Sequence, residues 1–403
     1  MKKVYLMIYD SGAGHRSIAN SLKTVIEKRQ LPWEVHIVEA FKEIIGTSAP
    51  QDVYNNLILK TTWGKMITEP LLVPLLKLQI RLSHSVWLAR FKRYWQEHQP
   101  DLVISLLPYV NGLIYESLQA VSPHVPFATS ITDHADSPPH FWIEAQKQLL
   151  ICPSEQAVEQ ARNLGYIPEQ ILRTSGVVIN PRFYEPITVD RRLERQRLGL
   201  NPDVPTGLIA FGGQGSKAML EIADSLENSP SLQLIFICGR NEEIANTLRS
   251  QKSRLPRVVV NFTSEIPYYM HLSDFFIGKS GAVGVSEAVA MKLPVITDCN
   301  SLTLFQERPS AAWIAANKLG IIVNDFREIN QAVAKLIEPE TLARYRANTA
   351  TVNNKAVFEV VDIMNGLLES SSKTAQKSLS VSIKDKKINH ELGGSKNHWS
   401  EMK

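Results

Sequence analysis

Three glycine-bearing turns, each followed by a helical pattern, are the places where this chain could bind or attack a charged ligand. The first, DSGAGHR, runs from Asp10 to Arg16, the second, GGQG, covers residues 212–215, and the third, SGA, covers residues 280–282. Backbone N–H groups at a helix start bind anions, and an imidazole has a near-neutral pKa that suits proton transfer. The second and third turns predict a diphosphate site, and the first predicts a ligand-binding crevice at a helix start next to His15. Each turn alone is also typical of a simple chain reversal.

Each turn follows an apolar run of strand length, and such runs alternate with helical periodicity along most of the chain. The runs are 4–9, 34–38, 102–106, 127–131, 148–152 and 172–175, and then 207–211, 232–238, 258–262, 274–278, 294–297 and 320–323. A charged stretch at 191–197 separates the two sets. The pattern predicts an α/β protein of two doubly wound, Rossmann-like domains, residues 1–187 and 188–368, with a ligand cleft between their strand ends.

The net charge of +4 is concentrated at the end of the chain, because the residues from 371 onward contain seven lysines and three acidic residues. Residues 369–403 are therefore predicted to be a disordered basic tail. The remainder is formally neutral, which argues against a nucleic-acid ligand. Three scattered cysteines form neither a disulfide framework nor a metal motif. No apolar run is long enough to span a membrane, and we expect a cytoplasmic protein.

The stretch from Leu71 to Trp95 contains no acidic residue and mixes basic with large apolar side chains. This composition predicts a surface that lies on an anionic bilayer. The alternative is a buried helix pair with basic rims, and Pro74 favours an irregular loop over a single helix. The membrane or acceptor candidates in this stretch are Trp87, Arg90, Lys92 and Arg93.

Six motifs give the chain a resemblance to a known family. In order they are YDSGAGHRS, TDHADSPPHFW, CPSEQAVEQA, ICGRN, GKSGAVGVSEAVAMKLP and FQERP. Together they resemble the monogalactosyldiacylglycerol synthase and processive diacylglycerol glucosyltransferase family, over about Val4 to Ile337. That family is a branch of the inverting, two-domain GT-B glycosyltransferases of family 28. The resemblance implies a hexosyltransferase that moves a hexose from a UDP-sugar to a lipid acceptor, with diacylglycerol the first candidate, and makes a β-glycolipid.

The resemblance also implies roles for individual residues. His15 would be the base, Asp10 and Asp133 the carboxylates near it, and Trp142 a residue of the acceptor side. The donor residues would be Gly212, Gly213 and Gly215 in one phosphate loop, Ser280, Gly281 and Ala282 in a second, Phe262 and Ile266 at the base, Glu287 at the ribose, and Gln306 and Glu307 at the sugar.

The implied partners are a UDP-sugar, a lipid acceptor and an anionic membrane, with the protein peripheral on the inner face and no metal or other cofactor. The chain departs from the family where GGGEG reads GGQGS, where KAGPGT reads KSGAVGV, and at Ser310, where asparagine is common. Two alternatives therefore stay open: transfer of N-acetylglucosamine to another lipid or soluble acceptor, and a non-catalytic protein that binds nucleotide-sugar or lipid. The oligomeric state does not follow from the sequence.

Overall fold

The computed structural model describes residues 1–9, 14–58, 61–146, 148–229 and 231–371. Asp10 and the predicted tail from residue 372 onward lie outside the described residues. Two six-stranded sheets form the frame of the molecule, and every strand pair in them is parallel. The predicted α/β class with two doubly wound sheets is confirmed.

The first sheet has the strand order β2-β1-β3-β4-β5-β6. Its strands are β1 (Lys2–Ile8), β2 (Trp33–Glu39), β3 (Leu102–Ser105), β4 (Phe127–Ser130), β5 (Leu149–Cys152) and β6 (Ile171–Arg173). Its helices are α1 (Gly14–Lys28), α2 (Ala49–Val53), α3 (Thr62–Ile67), α4 (Val73–His98), α5 (Asn111–Val121) and α6 (Glu155–Asn163). The central strands β1, β3 and β4 are largely buried on both faces because helices cover both sides of the sheet.

The second sheet has the strand order β12-β11-β10-β7-β8-β9. Its strands are β7 (Thr206–Ala210), β8 (Gln233–Ile237), β9 (Arg257–Val260), β10 (Phe275–Ile277), β11 (Val295–Asp298) and β12 (Gly320–Val323). The helices are α7 (Arg191–Arg197), α8 (Ala218–Leu226), α9 (Glu242–Ser250), α10 (Ile266–His271), α11 (Ala282–Ala290), α12 (Arg308–Ala316), α13 (Ile329–Leu336) and α14 (Pro339–Thr351). Both cores are formed by apolar side chains between sheet and helices.

The strand order places the glycine turns. It reverses between β1 and β3 in the first sheet and between β7 and β10 in the second. The loops that leave the carboxyl ends of two such strands diverge and open a crevice where ligands bind. The helix with His15 is the first helix after β1, and the turns at 212–215 and 280–282 follow β7 and β10, so His15 and these two turns lie at the switch points.

The last described helix, α15 (residues 356–371), returns to the first sheet. Its buried residues share one cluster with Val4, Leu6 and Ile8 of β1. They are Ala356, Val357, Val360, Val361, Met364 and Leu368. The predicted extension of the second domain to residue 368 therefore differs from the packing, because this helix completes the core of the first domain.

The stretch 71–95 is not an irregular loop. Most of it belongs to α4, which has 26 residues, and Pro74 lies in the first turn of that helix. A proline is tolerated there because the N–H groups of the first turn have no partner within a helix. Among the helices of the described ranges, none is long and apolar enough to cross a membrane.

Candidate active site

A cavity of about 660 Å³ is lined by loops from the carboxyl ends of both sheets. Many of the predicted site residues line it although they come from distant parts of the sequence. They are His15, Asp133, Gly212, Gly213, Phe262, Ile266, Gly281, Ala282, Glu287, Gln306 and Glu307. The parallel topology thus brings the predicted base and the predicted donor-binding turns to one cavity.

His15 is the second residue of α1, the first helix after β1, and it lines this cavity. Its Nδ1 lies 3.4 Å from the hydroxyl oxygen of Thr132, in the loop after β4. The imidazole ring also lies beside Trp142, with 5.8 Å between the ring centroids. Two neighbours therefore orient the ring on the cavity wall. Thr132 was not predicted, although it stands directly before Asp133 in the TDHAD motif.

Asp133 is half-buried on the same wall and accepts a hydrogen bond of 2.9 Å from the indole N–H of Trp142. Burial raises the pKa of Asp133 to about 7, against the lowering effects of Trp142 and Lys279. Trp142 itself is fully buried and does not line the cavity. It connects Asp133 with the ring of His15 and thus holds both side chains in place.

The turn at 212–215 contributes two residues to the cavity and one to the packing beneath it. No atom lies within 4 Å of a Cβ built on Gly212 or Gly213, so their backbone is open to a ligand. Gly215 has a φ of +63° and lies against the neighbouring loop, where a Cβ would be 2.7 Å from the carbonyl oxygen of Cys238. Gly215 therefore permits the turn, and it does not line the cavity.

The turn at 280–282 opens α11, with Gly281 as the residue before its first turn. Gly281 and Ala282 line the cavity, where the unpaired N–H groups of the helix start provide an anion site. Ser280 lies below the surface of the cavity with 1% of its area exposed. Its hydroxyl has no hydrogen-bond partner in the described part of the chain.

The second domain contributes an aromatic side chain, an aliphatic side chain and a half-buried carboxyl group to the cavity. Phe262 follows β9. The guanidinium carbon of Arg240 lies over its ring, 4.7 Å from the ring centroid. Ile266 opens α10 on the same side. Glu287 points into the cavity from α11, and burial raises its pKa to about 8. An apolar wall beside a carboxyl group suits a base and its ribose.

Gln306 and Glu307 line the cavity in contact with two residues that were not predicted, Tyr54 and Lys279. The Nζ of Lys279 lies 2.5 Å from Oε1 of Glu307. Burial opposes the charge of Lys279, but Glu307 outweighs it and holds the lysine pKa above its ordinary value. The side-chain amide of Gln306 donates to the hydroxyl of Tyr54 at 3.1 Å. Burial raises the pKa of Tyr54 to about 12, so this phenol stays protonated.

Ser310, at the position where the family often has asparagine, is buried and does not line the cavity. Its hydroxyl oxygen lies 3.0 Å from Nδ1 of His134, in the loop after β4. His134 also stacks on Trp313, with 4.5 Å between the ring centroids. Burial lowers the pKa of His134 to about 3, so the ring is neutral. Ser310 therefore contacts the first domain and leaves the cavity wall to Gln306 and Glu307.

The candidates for a membrane surface need correction. Trp87 is 5% exposed and packs against Phe41 in the core, so it cannot face a bilayer. The side chain of Arg90 donates to the carbonyl oxygen of Ile45. Lys92 is half-buried and Arg93 is exposed. The burial of Trp87 follows from its helical spacing with Phe91 and Trp95, which fill the same core.

A different face of α4 exposes large apolar side chains. We call Leu75, Leu78, Leu82 and Val86 the exposed apolar stripe, since their spacing places them on one face of the helix. Trp63, Met66 and Leu71, in the segment before α4, are exposed as well. The helical spacing of the stripe is visible in the sequence. However, α4 has a second apolar face, and the spacing alone does not show which of the two faces is buried.

Comparison with known proteins identifies a glycosyltransferase domain in the chain. Residues 208–300, which contain the second and third glycine turns, match the glycosyltransferase family 28 C-terminal domain. A probable chloroplastic monogalactosyldiacylglycerol synthase 2 of Oryza sativa subsp. indica is 27% identical over 387 residues, which cover 89% of this chain and 79% of the rice protein. The chain is a glycosyltransferase that contains a family 28 C-terminal domain. In this glycosyltransferase the matched domain includes the second and third glycine turns.

Solved structures share the fold of this glycosyltransferase. The MurG of Acinetobacter baumannii superposes with a TM-score of 0.59 at 16% identity, over 91% of this chain and all of that one. The Anabaena HepE, solved in complex with UDP, superposes with a TM-score of 0.52 at 13% identity, over 92% of this chain and all of that one. The two-domain GT-B fold is confirmed.

Proposed function

We propose that this glycosyltransferase moves a hexose from a UDP-sugar to the hydroxyl group of a lipid, with diacylglycerol as the acceptor, and that it makes a β-glycolipid. The observation that carries the proposal is the single cavity in which His15 of the first domain faces the glycine turns of the second. A relative named as a monogalactosyldiacylglycerol synthase and a structural neighbour that contains UDP support the two substrates.

In this proposal the second domain holds the donor. The uracil ring packs against Phe262 and Ile266, and the ribose hydroxyls bind Glu287. The diphosphate lies on the backbone of 212–213 and on the start of α11, and the hexose lies at 306–307. All of these residues line the cavity, and the order of the donor groups along it is the one that the family resemblance implies.

The first domain would activate the acceptor. His15 takes the proton of the acceptor hydroxyl as its oxygen bonds to the anomeric carbon. The bond from that carbon to the diphosphate oxygen breaks, and UDP leaves with the electron pair. Asp133, when ionised, lies across Trp142 from His15 and favours the imidazolium that forms. Attack from the face opposite UDP inverts an α-linked donor to a β-glycoside.

The lipid acceptor is supported by the apolar wall of the first domain. Five apolar residues of the first domain line the cavity: Val53, Ile58, Leu72, Leu75 and Leu76. Leu75 also belongs to the exposed apolar stripe, so the wall continues to the protein surface. An exposed apolar helix face beside basic residues binds anionic bilayers, and we propose that the protein docks there, on the inner face of a membrane, as a peripheral protein.

The experiment that tests this function supplies radiolabelled UDP-galactose, UDP-glucose and UDP-N-acetylglucosamine to the purified protein on anionic vesicles with and without diacylglycerol. We expect labelled lipid from a UDP-hexose, and only on vesicles that contain diacylglycerol. Transfer from UDP-N-acetylglucosamine alone would contradict the proposed donor. UDP binding without product on diacylglycerol or other acceptors would identify a non-catalytic member of the family.

A further inference from the structure

Lys279 is a cation in the cavity for which the proposed function has no role. Its side chain is 40% exposed, and it pairs with Glu307, which is 12% exposed. Among the described residues that line the cavity, Lys279 is the one lysine or arginine, while three carboxyl groups line it: Asp133, Glu287 and Glu307. Without this ammonium group, the negatively charged diphosphate would face only acidic side chains among the charged residues named above.

The position of Lys279 connects it to the helix start that faces the cavity. It follows β10 at the switch point of the second sheet and directly precedes Ser280 and Gly281. Its side chain folds back over the turn, because a Cβ built on Gly281 would lie 3.4 Å from Cε and 3.8 Å from Nζ of Lys279. The ammonium group therefore lies over the residue from which α11 starts.

A second, independent feature of the same turn also indicates a ligand. The Ser280 hydroxyl is buried and has no hydrogen-bond partner among the described residues. A buried hydroxyl without a partner is unfavourable. Ser280 does not line the cavity, so a phosphate oxygen on the helix start would satisfy this hydroxyl once the turn adjusts around the ligand. An ammonium group, a hydroxyl and the N–H groups of a helix start thus occur within three consecutive positions.

We propose that Lys279 binds the diphosphate of the donor, together with Ser280 and the start of α11, and neutralises the charge of the departing UDP. This inference rests on the proposed nucleoside diphosphate donor. Glu307 orients the ammonium group while the cavity is empty and competes with the diphosphate for it. The outgoing oxygen gains negative charge as its bond to the anomeric carbon breaks, and a fixed cation there lowers the barrier.

The test measures binding of UDP and of uridine by calorimetry to the wild type and to Lys279→Met, Lys279→Arg and Glu307→Gln. We expect Lys279→Met to weaken UDP binding about 10- to 100-fold, as for a hydrogen bond to a charged group, and to leave uridine binding within about twofold. Uridine binding also shows that the variant is folded. Lys279→Arg should keep part of the UDP affinity, and Glu307→Gln should keep or strengthen it because it removes a competitor.

Equal weakening of UDP binding by Lys279→Met and Glu307→Gln would overturn the inference, since Lys279 would then only position Glu307. Unchanged UDP binding in Lys279→Met would overturn it as well and would leave the proposed function standing. A wild type that binds UDP normally but glycosylates no lipid would contradict the proposed acceptor and leave the Lys279 result valid.

Discussion

The hydroxyl of Tyr54 accepts a hydrogen bond of 3.1 Å from the side-chain amide of Gln306, and this bond joins the two domains. Two further polar contacts connect the same short segment of the second domain with the first. Arg308 lies 3.1 Å from Glu69, and Ser310 lies 3.0 Å from His134. The segment that contains the residues proposed to bind the hexose therefore also forms contacts between the domains at the cavity.

Tyr54→Phe should raise the KM for the UDP-hexose about three- to tenfold, because it removes one hydrogen bond that orients Gln306. The affinity for UDP, which lacks the hexose, should stay the same. Steady-state kinetics and calorimetry measure the two effects. Tyr345→Phe, in α14, is the matched control, and an unchanged KM in Tyr54→Phe would show that the contact does not orient the sugar site.

Uridine binding should become tighter as the pH rises from about 6 to about 9 and level off above that range, about one pH unit beyond the pKa of Glu287. Burial raises the pKa of Glu287 to about 8, so below pH 8 the group is mostly protonated and must lose its proton to accept hydrogen bonds from both ribose hydroxyls. The affinity is measured by calorimetry with uridine. UDP is not used, because its diphosphate titrates in the same pH range. Glu287→Gln should abolish the pH dependence, whereas the exposed Glu340→Gln should keep it; the same slope in Glu287→Gln would contradict the ribose assignment.

Leu82→Glu should weaken binding to anionic vesicles about tenfold or more, since it removes an apolar side chain from the bilayer and introduces a negative charge. Leu82 is 78% exposed in the exposed apolar stripe. Leu193→Glu, at a residue that is 62% exposed in the second domain, is the matched control. Vesicle sedimentation measures binding, and equal behaviour of the two variants would exclude the stripe as the membrane surface.

Dialysis against EDTA should leave the transfer rate within about twofold of the untreated enzyme. The reason is that backbone N–H groups at helix starts and the ammonium group of Lys279 would carry out the charge compensation that a divalent ion performs elsewhere. The rate is measured before dialysis, after it, and after addition of Mg²⁺. A large loss that Mg²⁺ restores would contradict a metal-independent reaction.

The sequence was sufficient to predict the sheets and much of the cavity. Apolar runs marked the strands, and the carboxyl ends of parallel strands converge at a switch point. His15, Gly212 and Gly281 could therefore be placed at one cavity although they are far apart in the chain. Glu287 followed from its position two turns into the helix behind the third turn.

Other residues could not be assigned because their roles depend on packing between distant segments. Tyr54 acts through Gln306, about 250 residues away in sequence, and no local pattern marks it. Trp87 was misassigned because α4 is apolar on two faces, and only its contact with Phe41 shows which face is buried. Lys279 belongs to a recognised motif, but the sequence does not show that it forms an ion pair with Glu307, which comes from another loop of the cavity.

The most direct test of the central claim compares lipid glycosylation by the wild type, His15→Ala and the exposed-histidine control His124→Ala on diacylglycerol vesicles, with UDP binding measured in parallel. We predict that His15→Ala lowers the transfer rate about 100- to 10,000-fold, the usual contribution of a positioned base, while UDP binding stays within about twofold. His124→Ala should match the wild type. A His15→Ala variant that transfers hexose at the wild-type rate would contradict the assignment of His15 as the base.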